Sequence, residues 1–94
     1  MGYIFLTDEQ KLIIACKSGD KSAYEQLIRM HLELINNTVY TIVRDEKKAK
    51  EISVLICIHI WKVRDKIPVY GSLKVYLCNY IHAVIKKAAL KTFA

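Results

Sequence analysis

Apolar residues recur at steps of three and four along most of the chain, and the breaks between runs carry residues suited to capping helices. Thr7-Asp8-Glu9-Gln10 has the form of a capping box, with a hydroxyl at Thr7 and an amide three residues on. Leu12, Ile13 and Cys16 follow at helical spacing, and Gly19 suits the left-handed residue that closes a helix. This predicts a first helix over residues 7–17. Asp20 is a good N-cap for a second. Tyr24, Leu27, Ile28, His31, Leu34, Ile35, Val39 and Ile42 keep the three-four spacing for about six turns, which predicts a helix over 21–43.

Arg44-Asp45-Glu46 interrupts that pattern, and Asp45 can cap a third helix over 46–66. The middle of this segment, residues 52–61, is dense in β-branched residues that also suit a strand. Its length and the flanking Lys47-Lys48-Ala49-Lys50-Glu51 run favour helix. Pro68 and Gly71 mark a loop over 67–71. Ser72 then caps a fourth helix over 73–91, carrying Leu73, Tyr76, Leu77, Tyr80, Ile81, Val84, Ile85 and Leu90. The expected fold is all-α, a four-helix bundle-like arrangement forming one domain over 1–94, without internal repeats.

The third helix is unusual in having apolar residues on more than one side. Ile52, Ile56, Ile60 and Val63 can pack into the bundle. Val54, Leu55 and Ile58 lie close to another face, which Trp61 extends by one turn. An aliphatic stripe of this kind is not expected to stay in water. Either residues 3–6 cover it, or a second copy does, or an apolar partner does; the remaining option is a central helix covered all round.

Hydrophobic residues make up 53% of the 94 residues, enough to build a core. The formal charge is +6, unevenly spread: residues 1–47 carry −1 and residues 48–94 carry +7, with no acid after Asp65. A one-sided basic half favours an acidic partner, phosphate above all, although a solvated lysine-rich surface has the same composition. Lys62, Arg64 and Lys66 lead into the loop, Tyr70 lies in it, and Lys74, Tyr76, Lys86, Lys87 and Lys91 follow. Cations interleaved with rings suit single-stranded nucleic acid, where lysines neutralise phosphates and rings stack on unpaired bases.

Enzymatic chemistry finds little support. Gly19 and Gly71 stand alone rather than in a phosphate-binding loop. The serines fall at caps or inside helices, and His31, His59 and His82 lie on different predicted helices. No catalytic residue, metal ligand or cofactor is expected. Cys16, Cys57 and Cys78 are odd in number and lack CxxC spacing, which points to reduced thiols in a cytoplasmic protein. No run approaches the roughly 20 apolar residues of a membrane span, so no membrane insertion is expected. The segment Gly2-Tyr3-Ile4-Phe5-Leu6 lacks a signal peptide's basic start.

Three blocks in order carry a resemblance. Leu12-Ile13-Ile14-Ala15-Cys16-Lys17-Ser18-Gly19-Asp20-Lys21-Ser22-Ala23-Tyr24-Glu25-Gln26-Leu27 resembles the opening of region 2 of extracytoplasmic-function sigma factors, in the sigma-70 family. Ala49-Lys50-Glu51-Ile52 followed by Trp61 is similar to the next block, and Gly71-Ser72-Leu73-Lys74-Val75-Tyr76-Leu77 to a third. No block is specific alone; their order and spacing over about residues 8–92 carry the likeness.

The resemblance implies a transcription-initiation module that grips core RNA polymerase and captures the single-stranded −10 promoter element. It assigns the third helix to polymerase, through Glu51, Val54, Leu55 and Ile58. It assigns the loop and fourth helix to DNA, through Lys66, Tyr70, Lys74, Tyr76, Lys86, Lys87 and Lys91. The chain departs from the family pattern at Lys50, Val54, Leu55, Cys57, Ala83 and Lys87, where the family usually carries acid, Gln, acid, Phe, Asn and acid. The family's helix-turn-helix domain has no counterpart in these residues, as expected of an excised domain or a shortened protein. The alternative is a protein-interaction domain of the same fold, which binds an anti-sigma factor or forms a homodimer without promoter recognition.

Overall fold

The computed structural model describes residues 5–93, with side chains over 5–88. It is all-α: α1 (Asp8–Lys17), α2 (Lys21–Val43), α3 (Glu46–Lys62) and α4 (Leu73–Phe93), with a single 3-10 turn at Arg64–Lys66 between α3 and α4. No strand occurs among the described residues, so residues 52–61 are helical despite their β-branched content. The dense flanking helix formers and the burial of Ile56 and Ile60 outweigh local propensity.

Local chemistry sets most boundaries. Thr7 accepts from the Gln10 amide at 3.1 Å while the Gln10 side chain accepts from the Thr7 N–H at 2.9 Å, a complete capping box. Thr7 is thus the cap rather than the first helical residue. Beyond α1, Gly19 has φ 101°; its N–H reaches Cys16 O at 2.9 Å and the Asp20 N–H reaches Ala15 O at 3.0 Å. These two bonds form a Schellman motif. Asp20, Asp45 and Ser72 cap α2, α3 and α4 through their side-chain oxygens. Arg44 ends α2 in the left-handed region, at φ 56°.

One boundary differs from expectation. The third helix ends at Lys62 rather than Lys66, because the chain tightens into the 3-10 turn. Ile67 must adopt an extended backbone ahead of Pro68 and is itself buried, so the turn steers it back into the core. The Lys17 ammonium donates to the Ile67 carbonyl at 2.5 Å and ties this turn to α1. The fourth helix continues past residue 91 to Phe93.

The second helix is the spine, packing against α1, α3 and α4. Ile13 and Cys16 from α1, Leu27, Ile35 and Val39 from α2, Ile56 and Ile60 from α3, and Leu77 and Ile81 from α4 form the core with Ile67. His31 is buried in α2, with Nε2 3.3 Å from the Glu9 carboxylate of α1. No helix among the described residues is long and apolar enough to cross a membrane.

Candidate functional site

Two surfaces emerge from this frame. The first comprises the 3-10 turn, the loop and α4. Lys66 is exposed at the end of the turn, and Tyr70 is 62% exposed in the loop. Gly71 turns the chain with φ 93°, a conformation that favours glycine. Lys74 is exposed in the first turn of α4. These cations and the Tyr70 ring therefore flank one short turn.

Lys86 and Lys87 are also exposed, about 18 Å further along α4 at 1.5 Å per residue. At 3.6 residues per turn they lie about 120° and 140° from Lys74, to opposite sides. The lysines consequently encircle α4 instead of forming one stripe. The side chain of Lys91 lies outside the described residues.

Tyr76 is only half-buried and belongs to an aromatic row. Its ring stacks on Tyr80 with centroids 6.1 Å apart, and Tyr80 stacks on His59 of α3 at 6.0 Å. The Tyr80 phenol and His59 Nδ1 also share a hydrogen bond. Burial raises the pKa of Tyr76 and Tyr80, with the charge of Asp65 adding to the effect at Tyr76. Both phenols are therefore neutral near pH 7. The i, i+4 spacing of the tyrosines is visible in the sequence, whereas the addition of His59 depends on how α3 meets α4.

The second surface is the outward face of α3. Glu51 is exposed, and Val54, Leu55 and Ile58 are 60%, 64% and 51% exposed. This helix is not covered all round. Of the segment considered as a cover, residues 3 and 4 lie outside the described residues, Phe5 is exposed and Leu6 is half-buried. Trp61 does not extend the exposed stripe. It is half-buried between Tyr24, at 5.1 Å between centroids, and Arg64, at 4.1 Å.

Grooves flank this ridge. Between α3 and α4 an apolar cleft of about 460 Å³ is lined by Ile52, Leu55, Ile58, Val84 and Ile85, with Lys62 and His59 also along it. Between α2 and α3, Ile28, Leu32, Cys57, Ile58 and Trp61 line a second cleft of about 520 Å³. Ile28 belongs to the apolar stripe of α2 and Leu32 lies outside it; helical spacing alone does not show that either borders a gap.

The thiols are free, with Cys16 buried and Cys57 and Cys78 half-buried. Burial pushes the Cys16 and Cys57 thiols up, so they are protonated and poor nucleophiles near neutral pH. No group of three or more potential metal ligands occurs among the described residues. Comparison with protein-family models, curated proteins and solved structures yields no match.

Proposed function

We propose that this domain is a transcription-initiation module of the sigma region 2 type, binding single-stranded promoter DNA through its loop and α4 and core RNA polymerase through α3. The observation that supports the reading most directly is the exposed Tyr70 ring, with exposed Lys66 and Lys74 each four residues away along the chain. That segment adjoins the Gly71–Leu77 block carrying the sequence resemblance. A solvent-facing ring can stack on an unpaired base while neighbouring ammonium groups neutralise phosphates. The module acts by binding and positioning, without catalytic chemistry or a cofactor.

Fluorescence anisotropy with a labelled single-stranded oligonucleotide tests the DNA half. Binding should weaken linearly in log salt, and charge reversal at Lys66 and Lys74 should flatten the slope by about one unit per lost phosphate contact. A slope unchanged in the double variant counts against it. A pull-down of core RNA polymerase tests the other half.

A second reading keeps the fold and omits promoter recognition: a protein-interaction domain that engages an anti-sigma factor or a second copy. The exposure of Val54, Leu55 and Ile58 favours it, since these side chains replace the polar groups usual at an aqueous helix face.

A further inference from the structure

The groove between α2 and α3 is continuous over most of their length. Its two sections share Leu32, Cys57 and Ile58. It extends from Lys21 near Trp61 to Asn36 near Lys50. The fifteen steps from Lys21 to Asn36 on α2, at 1.5 Å each, give a trough of about 22 Å, the length of a four-turn helix. The antiparallel pairing of α2 and α3 makes both walls helical, with Ile28, Leu32, Val54 and Ile58 as the aliphatic lining beside the Tyr24 and Trp61 rings.

The rim is charged with one predominant sign. Lys21, Arg29 and Lys50 line the groove against a single carboxylate, Glu25. A second copy docked by a two-fold axis would bring the same cations back against themselves, a like-charge arrangement that interfaces avoid. A basic partner is excluded on the same ground.

We infer that this groove seats one amphipathic helix of a different protein, about four turns long, with an aliphatic face and flanking Asp or Glu residues. Its apolar anchors, spaced i, i+3/i+4, i+7 and i+11, rest on Leu32, Val54 and Ile58, while its carboxylates meet Arg29, Lys21 and Lys50. The inference deepens the protein-binding part of the function proposed above and rests on that part alone, not on DNA capture.

The test uses the full chain and two fluorescein-labelled 15-residue helical peptides. One carries leucines at those spacings with glutamates on both flanks; its twin has every glutamate replaced by lysine. The glutamate peptide should bind saturably, and the lysine twin about tenfold or more weakly, a difference of about 1.4 kcal/mol or more. Ile58→Ser should weaken the glutamate peptide about tenfold. Arg29→Glu should narrow the gap between the twins by strengthening the lysine peptide, a gain in affinity that simple unfolding cannot produce.

Equal binding of the twins, or binding of neither, overturns the proposal. So does sedimentation showing a dimer that Ile58→Ser dissolves, which would assign the groove to a second copy. Single-stranded DNA binding is measured on the same preparations. Its absence with twin discrimination intact defeats the promoter reading and leaves this inference standing; the reverse result does the opposite.

Discussion

The Arg64 guanidinium lies 4.1 Å from the centroid of the Trp61 ring and donates through Nη1 to the Trp61 carbonyl at 3.0 Å. Trp61 meets the buried Tyr24 ring as well, so the three side chains form a stack that closes the end of α3. The planar guanidinium matches both the ring and the carbonyl, and a lysine ammonium cannot do both. Arg64→Lys should therefore cost about 1 kcal/mol, read from urea unfolding. An unchanged midpoint would mean that the stack contributes nothing beyond contact of the aliphatic stem.

Tyr24, Cys16 and Cys57 make stability depend on pH at the alkaline end. Burial raises the pKa of all three above their unfolded values, and the negative charge of the Cys57 and Cys16 thiolates, where they form at alkaline pH, adds to the effect at Tyr24. The folded state therefore holds protons that the unfolded chain releases above roughly pH 9 to 10. Their contribution is fully present below that window and is lost as pH rises through the raised folded values. Urea unfolding at pH 7.5 and 10.5 should show a lower midpoint at the higher pH. Tyr24→Phe, which also removes the hydrogen bond to the Cys57 carbonyl, should lower stability by about 1 kcal/mol at pH 7.5 and reduce the pH dependence.

Arg44 occupies the left-handed region at φ 56°, where a side chain costs roughly 1–2 kcal/mol and glycine does not. Glycine also loses more backbone freedom on folding, which offsets part of that gain. Arg44→Gly should raise stability by about 0.5–1 kcal/mol, seen as a higher thermal midpoint. A lower midpoint would mean that the arginine side chain makes contacts worth more than the backbone relief.

Where structure depends on neighbouring residues, the sequence is easy to read. Asp20 caps α2 and Arg44 stops it, and the helix runs from Lys21 to Val43 as the spacing predicts. The end of α3 was hidden because it depends on distant partners: Ile67 buries itself in the core and Lys17, fifty positions away, holds its carbonyl. Pro68 was the only local hint. The same limit applies to the surfaces. Exposed Lys66, Tyr70 and Lys74 could be placed from loop punctuation, whereas the row of Tyr76, Tyr80 and His59 and the groove beside Leu32 arise only when helices meet.

Tyr70 and Tyr76 should separate binding from stability. Tyr70 is 62% exposed in the loop, so its ring is free to meet an unpaired base. Tyr70→Ala should cost about 1–3 kcal/mol in single-stranded DNA binding while leaving the unfolding midpoint nearly unchanged. Tyr76 is half-buried and stacks on Tyr80, which in turn contacts His59 of α3. Tyr76→Ala removes the end of that row and should cost about 1–3 kcal/mol of stability. Paired unfolding and anisotropy titrations on both variants give the comparison. If Tyr70→Ala leaves DNA binding intact, the loop is not a stacking platform, and the charged residues of α4 would have to account for any binding by phosphate contact alone.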